Sequence, residues 1–168
     1  LLEIARQNGV SYLFEASVGG GIPIIRPMWQ CLAANRIQSV AGILNGTCNY
    51  ILTKMEREKS DFADALAEAQ RLGYAERNPA ADIEGTDPCR KISILTSLAY
   101  GEHVRPERLL CEGITKITYD DIAYASSHGY RIKLLGRASR AANGKVYAMT
   151  APYLVPVDNA LAGINDVY

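Results

Sequence analysis

A pair of strand-like runs near the end of the chain restricts its fold more than any other feature. The runs are Tyr130 to Ala138 and Lys145 to Val155, and Asn143-Gly144 lies between them. Asn-Gly is the strongest short-range signal for a β-hairpin, since both residues tolerate a positive φ. Pro152 and Pro156 indicate that the second strand frays or lies at a sheet edge. The sequence therefore predicts an antiparallel hairpin against which the rest of the chain packs.

Helical patterns precede the hairpin. Asn45-Gly46-Thr47 is typical of a turn whose threonine caps a new helix. Asp87-Pro88 is typical of a helix start, with the aspartate as N-cap and the proline as first helical residue. Thr118 and Asp121 have the spacing of a capping box. We therefore expect helices to begin at these three points.

The beginning of the chain contains two further strand-like runs and one helical pattern. Ser11 to Ala16 and Arg36 to Leu44 are predicted as strands, and Ile22-Pro23 as the start of a helix that ends at Asn35. With the segments above, these elements predict an α+β fold in a single domain. Its sheet is mixed or antiparallel, and its helices pack on one face.

The composition excludes several functions. The 168 residues include 18 Lys or Arg and 18 Asp or Glu, so the chain lacks the basic excess of a nucleic-acid-binding protein. No apolar run approaches the roughly 18–20 residues of a membrane span. The four cysteines form no C-x-x-C pair, and only two histidines are present. We therefore expect free thiols in a reducing cytoplasm rather than a structural zinc site.

A run of three glycines, Gly19-Gly20-Gly21, occupies the place of a dinucleotide-binding loop between a predicted strand and helix. The fingerprint of such a loop is G-x-G-x-x-G, but Ile24 stands three residues after the last glycine. Its other mark, an acid about 20 residues further on, is also missing. This excludes a Rossmann loop. Two interpretations stay open: a tight turn, or a loop whose inward-facing carbonyls surround a monovalent cation.

Charged residues concentrate where a polar loop meets the helix predicted to start at Asp87. Glu76, Asp82 and Glu84 lie in or near the loop, and Lys91 follows in the helix. Asp87 and Lys91 are four residues apart and share one helix face. A partly buried amine beside these acids can donate or accept a proton. The alternative is an ordinary surface salt bridge of a few tenths of a kcal/mol, about 0.3–0.5.

Three segments resemble the homoserine dehydrogenase family. Residues 69–91 contain A-x-x-x-G-Y-A, then N-P-x-x-D-I-x-G-x-D, then three residues and a lysine. Residues 14–24 are similar to the family's E-A-x-V-G-x-G-x-P-I segment, and residues 42–52 to its G-x-x-N-G-T-x-N-Y-I-L segment. The resemblance covers nearly the whole chain and becomes looser toward its end.

The resemblance implies a reversible reduction of aspartate semialdehyde to homoserine with NAD(P), in threonine, methionine and isoleucine biosynthesis. Matched to the family's motifs, Lys91 is the proton donor and acceptor. Glu76 and Asp87 match the acids that hold the substrate, and Asp82 matches an acid that supports the substrate site. Gly73 matches a position close to the cofactor.

The resemblance also implies a sodium ion bound largely through backbone oxygens. The matching positions are Glu15, Val18, Gly20 and Ile22. This favours the cation interpretation of the glycine run over a simple turn.

Proteins of this family begin with a dinucleotide-binding domain, whereas this chain begins at Leu1 without one. We therefore expect residues 1–168 to be the truncated substrate-binding and dimerisation domain of a longer enzyme, inactive alone and forming a homodimer. An alternative function is self-association without catalysis, since the hairpin around Asn143-Gly144 supplies sheet edges.

Overall fold

A four-stranded mixed sheet organises the larger part of the computed structural model, which describes residues 2–167. Its strands, numbered along the chain, are β1 Ser39–Gly42, β2 Leu110–Cys111, β3 Tyr130–Arg140 and β4 Val146–Pro156. The order is β1-β3-β4-β2, with β3 antiparallel to β1 and β4, and β2 parallel to β4. The predicted hairpin is confirmed, and in its turn the Lys145 N–H donates to Asn143 Oδ1 at 3.0 Å.

Strand β4 accommodates both of its prolines. It pairs with β3 continuously through Pro152 to Pro156, so the predicted fraying is wrong. The prediction of an edge is confirmed for this half of the strand, since β2 pairs with β4 only at Met149 and Thr150. Beyond Thr150, proline's missing N–H therefore costs no ladder bond on the β2 side.

The helices that follow β1 pack on one face of the sheet, which confirms the predicted α+β class. They are α2 Gly46–Glu58, α3 Phe62–Arg71, α4 Ala80–Ile83, α5 Thr86–Tyr100 and α6 Tyr119–Ser127, whereas α1 Leu2–Gln7 lies in the first part of the chain. Leu134 of β3 packs in the core cluster that α2, α3 and α6 share. Its neighbour Leu135 faces the other way, because side chains alternate along a strand. Leu135 packs on Val155 and on Ala162 of the 3₁₀ turn Ala160–Gly163.

One of the three predicted helix starts is confirmed as written. At α6 the Asp121 N–H donates to Thr118 Oγ1 at 3.2 Å, and the Thr118 N–H donates to the Asp121 carboxylate at 2.9 Å. At α2 the cap is Asn45 rather than Thr47, because the Cys48 N–H donates to Asn45 Oδ1 at 2.9 Å. The Thr47 hydroxyl donates instead to the carbonyl of Tyr74, at 2.6 Å.

Helix α5 also begins earlier than predicted. Gly85 occupies the cap position with φ 84°, and Thr86 is the first helical residue. Asp87 therefore lies inside the first turn, and its carboxylate is free for contacts with other parts of the chain. Proline is tolerated at Pro88, since the first turn has no N–H acceptors within the helix.

Residues up to Arg36 form a separate compact unit, which holds α1 and a π-type helical turn, Pro27–Cys31. The strand predicted at Ser11–Ala16 does not form, since that segment pairs with no strand in residues 2–167. The helix predicted from Ile22-Pro23 is reduced to this turn, in which Pro27 takes the first position.

None of the helices described above is long and apolar enough to cross a bilayer. All four cysteines are free, with Cys48 and Cys89 buried and Cys31 and Cys111 exposed.

Candidate active site

Lys91 and Asp87 form an ion pair on successive turns of α5. The Lys91 Nζ atom donates to Asp87 Oδ2 at 2.7 Å and to the Leu44 carbonyl oxygen at 3.0 Å. The two side chains are 28% and 31% exposed, so the pair is sheltered yet reachable by a ligand. The contact predicted from the spacing of these residues is thus present, and both partners are ordered by further bonds.

Asn45 joins Asp87 to Asp82. Its Nδ2 donates to Asp82 Oδ1 at 2.6 Å and to Asp87 Oδ2 at 2.9 Å. Because its Oδ1 caps α2, one buried side chain both starts a helix and spaces two carboxylates. The sequence pattern indicates only a turn at Asn45. The available signal was that an asparagine N-cap keeps two N–H groups that the cap does not use.

The hydrogen-bond inventory shows which groups of this cluster stay available. Asp87 Oδ2 accepts from both Asn45 and Lys91, whereas Asp87 Oδ1 has no partner atom within residues 2–167. A protonated lysine has three N–H groups, and the structure provides acceptors for two of those on Lys91. The cluster therefore offers a ligand one ammonium hydrogen and two carboxylate oxygens, Asp87 Oδ1 and Asp82 Oδ2, for which residues 2–167 provide no donor.

Cys48 lies directly behind the two acids. It is completely buried, and its Sγ donates to the Asp82 carbonyl at 3.2 Å. Burial, reinforced by the charges of Asp82 and Asp87, raises the pKa of the Cys48 thiol far above its ordinary value. Since the thiolate is the nucleophilic form, Cys48 has a packing role and not a catalytic one.

The short helix α4, which carries Asp82, is supported from the back by the segment after β2. The Ile114 N–H donates to the Ile83 carbonyl at 2.8 Å. A Cβ on Gly113 would overlap the Ile83 carbonyl oxygen and lie 2.5 Å from Glu84 Cα. Only glycine allows this approach, which fixes the backbone beside Asp82.

Two predicted site residues lie outside the cluster. Glu76 is exposed, and its carboxylate has no hydrogen bond or ion pair with the part of the chain that the structure describes. Gly73 is also exposed, with φ 79°, and nothing lies within 4 Å of the position that a Cβ would take. The structure thus brings Asp82, Asp87 and Lys91 together and leaves Glu76 apart.

The residues predicted to bind sodium lie in the unit that ends at Arg36. In this unit, the carboxylate of Glu15 already accepts hydrogen bonds from backbone N–H groups. Its Oε1 accepts from the N–H groups of Ile24 and Ile25 at 2.8 and 2.9 Å, and its Oε2 accepts from that of Arg26 at 2.8 Å. Burial opposes ionisation, but these three bonds and the Arg26 charge leave the pKa of Glu15 below its ordinary value. The carboxylate therefore stabilises the start of the helical turn.

The rest of the predicted sodium set forms a curled loop. Val18 is buried, its N–H donates to the Glu15 carbonyl at 3.4 Å, and the Ile22 N–H donates to the Gly19 carbonyl at 2.9 Å. Gly19 has φ 66°, and a Cβ there would lie 2.5 Å from the Ile22 oxygen. No group of three or more His, Cys, Asp or Glu side chains suited to a metal exists among residues 2–167. An ion bound in this loop would therefore have mainly backbone oxygens, such as that of Gly20, as its ligands.

The cluster around Lys91 has the groups for one kind of chemistry. Its carboxylates can hold a ligand's ammonium group, and the Lys91 ammonium can stabilise and protonate an oxygen that gains negative charge. A carbonyl reduced to an alcohol develops such a charge.

Comparison with known proteins places the chain in one family. The profile of the homoserine dehydrogenase family matches residues 23–168. The homoserine dehydrogenase of Synechocystis sp. is 50% identical over 100% of this chain, and that of Pseudomonas aeruginosa is 47% identical over 97%. The chain spans 40% and 37% of these relatives, or about two fifths of their length.

Solved structures show the same similarity. The homoserine dehydrogenase of Thiobacillus denitrificans matches with a TM-score of 0.95 and 46% identity, over 99% of this chain and 38% of that one. A hyperthermophilic archaeal homoserine dehydrogenase mutant in complex with NADPH matches with a TM-score of 0.78 and 30% identity, over 97% and 46% of the two chains.

Proposed function

Since the chain belongs to the homoserine dehydrogenase family, we propose that it forms the substrate-binding part of an enzyme that reversibly reduces L-aspartate 4-semialdehyde to L-homoserine. The observation that carries this proposal is the ordered cluster of Asn45, Asp82, Asp87 and Lys91. In the cell, the reaction serves threonine, methionine and isoleucine biosynthesis, in a cytoplasm whose reducing conditions suit free thiols.

Each residue of the site has a proposed role. Lys91 donates a proton to the aldehyde oxygen during reduction and accepts it in the reverse direction. Asp87 offers its free Oδ1 to the substrate ammonium, and Glu76 offers an unpaired carboxylate to the same group. Asp82 keeps Asn45 and Asp87 in place.

The cofactor in this proposal is NAD(P), which supplies the hydride. Gly73 is the residue of this chain that leaves room for the cofactor. Its backbone is exposed, and nothing among residues 2–167 lies within 4 Å of the position that a Cβ would take. Because the glycine run lacks the dinucleotide fingerprint, we place the main cofactor site in a part of the complete protein outside these 168 residues.

This proposal predicts that the isolated chain is inactive and that the complete protein is active. The assay is oxidation of NADPH or NADH in the presence of aspartate semialdehyde, followed by absorbance at equal molar concentrations. Turnover by the isolated chain would contradict the cofactor placement. Absence of turnover in the folded, complete protein would contradict the proposed function.

We also propose that the loop at Val18, Gly20 and Ile22 binds a sodium ion, with Glu15 stabilising its backbone. The expected result is a higher unfolding temperature of the complete protein in sodium chloride than in choline chloride of equal ionic strength. Lithium serves as the size control, since backbone carbonyls at fixed positions favour one ionic radius. Identical unfolding temperatures in all three salts would exclude the ion.

Self-association is a second function that one observation favours. The sheet face with Leu135 is covered only in part: Arg137 and Tyr147 lie on the same face and are exposed, as is Leu110, which is paired beside Met149. Exposed apolar side chains on an open sheet face suit an isologous contact with a second copy. Sedimentation equilibrium of the complete protein should give a dimer, and Tyr147→Lys should give a monomer. A wild-type monomer would contradict this.

A further inference from the structure

A second group of buried polar contacts holds residues 160–167 against α2. Lys133 of β3 is 1% exposed, and its Nζ donates to Asn49 Oδ1 at 3.0 Å and to the carbonyl oxygen of Ile164. Asn49 is 2% exposed, and its Nδ2 donates to the carbonyl oxygens of Asp166, at 2.8 Å, and Ile164, at 3.3 Å. The buried side chains of Lys133 and Asn49 thus both donate hydrogen bonds to the backbone of residues 164–166.

Arg131 repeats this arrangement two residues earlier on the same face of β3. Its Nη1 donates to the Ala162 carbonyl at 3.2 Å, and its Nε lies 3.3 Å from the Glu56 carboxylate of α2. Lys133 and Arg131 therefore each join one side chain of α2 to one carbonyl of residues 160–167. We call Lys133, Asn49, Arg131 and Glu56 the clasp.

The stretch that the clasp holds ends against the first turn of α2. A Cβ on Gly46 would lie 2.7 Å from the carbonyl oxygen of Val167, so the two backbones touch. Gly46 directly follows Asn45, whose amide holds Asp82 and Asp87. Residues 164–167 thus touch the immediate neighbour of the residue that spaces the two acids.

We propose that Lys133 and Asn49 are positioning residues for the active site, because they press residues 164–167 against Gly46 and so fix the first turn of α2. This inference rests on the proposed function, since it concerns the same acids. Stabilisation alone is a poor explanation for Lys133, because burial of an ammonium opposes folding and an apolar side chain would fill the space without that penalty.

Lys133 also makes the stability of the folded protein depend on pH. Burial lowers the pKa of Lys133 to about 8, assisted by Arg131 and Arg57 and opposed by Glu56 and Asp166. This value lies below the ordinary 10.5, so the folded state binds fewer protons than the unfolded state between about pH 8 and 10.5. Stability therefore rises across that interval in the wild type. Lys133→Met should lose that part of the rise.

The test compares Lys133→Met with Lys145→Met in the complete protein, since Lys145 is an exposed lysine of the hairpin turn. For Lys133→Met we expect kcat to fall about tenfold, with little change in unfolding temperature at pH 7. Amide hydrogen exchange in residues 46–49 should accelerate about tenfold. Lys145→Met should alter none of these quantities and should keep the rise in stability above pH 8.

Asn49→Asp is the second variant. It keeps an acceptor for Lys133 but cannot donate to the carbonyls of Ile164 and Asp166, so we expect the same losses. Unchanged exchange in residues 46–49 in both variants overturns the inference, and so does faster exchange with wild-type kcat. A wild-type protein without homoserine dehydrogenase activity contradicts the proposed function instead, and the exchange data then still decide whether the clasp fixes α2.

Discussion

Replacing Lys91 by methionine is expected to lower kcat of the complete enzyme by at least about two orders of magnitude. As the aldehyde carbon is reduced, negative charge develops on its oxygen, and the Lys91 ammonium has one N–H left to stabilise and protonate it. Methionine keeps the aliphatic stem and removes the donor. Steady-state rates with aspartate semialdehyde and NADPH measure the loss.

A charge control separates proton transfer from simple attraction. Lys91→Arg keeps a positive charge near Asp87, but a guanidinium does not release its proton at neutral pH. If Lys91 transfers the proton, Lys91→Arg should remain at least about tenfold below the wild type. A folded Lys91→Met enzyme that keeps more than a tenth of the wild-type kcat would contradict the proposed role.

Asn45→Ser should produce the second large loss, about 10- to 100-fold in kcat/KM. Serine is as good an N-cap as asparagine, so α2 should still begin at the same residue. It cannot reach across to Asp82 and Asp87, which now receive Nδ2 bonds of 2.6 and 2.9 Å from Asn45. The two carboxylates then lose the donor that they share, and because only Asp87 keeps an ion pair, with Lys91, we expect Asp82 to move away from Asp87.

Asn45→Asp tests the same bridging role of Asn45 through the pH dependence of the activity. Aspartate also caps helices well, but it places a third carboxylate among the other two. Such a group has one O–H while it carries a proton and can then donate to one of the two acids, so the remaining activity should move to lower pH than in the wild type. Thr118→Ala is the matched control, since it removes a cap worth about 1 kcal/mol at α6 without touching the acids. Wild-type kcat/KM in Asn45→Ser would exclude the bridging role.

Elements whose contacts are local were predictable from the sequence. The capping box of Thr118 and Asp121 and the turn at Asn143-Gly144 formed as expected, because each needs only groups within a few residues of one another. The ion pair of Asp87 and Lys91 belongs to the same class, since helix spacing alone brings the two side chains together.

Predictions went wrong where distant groups compete for a residue. Thr47 has the chemistry of a cap, but its hydroxyl is recruited by the Tyr74 carbonyl and Asn45 takes the cap instead. Asp87 likewise gives its carboxylate to Asn45 and Lys91 rather than to a helix start. Ser11–Ala16 has strand composition but finds no partner strand within residues 2–167.

The residues of the site also fall into those that the sequence predicts and those whose roles depend on distant contacts. Family motifs pointed to Asp82, Asp87 and Lys91, and the structure brings these three side chains together. The bridging role of Asn45 was missed, because it depends on residues 37 and 42 positions away. Lys133 was missed as well: a lysine in an alternating strand pattern suggests an exposed face, whereas here Asn49 of α2 and residues 160–167 cover it.

The tight approach of Gly113 to the Ile83 and Glu84 backbone has a consequence for sequence variation in this chain. Tolerance to mutation will not simply increase with the distance of a position along the chain from Asp82 and Asp87. A library screened only for turnover should retain glycine at position 113 as strictly as aspartate at position 82, while the exposed neighbour Glu112 varies. Gly113 is thus constrained by the backbone packing that positions Asp82, although it has no side chain with which to take part in the reaction.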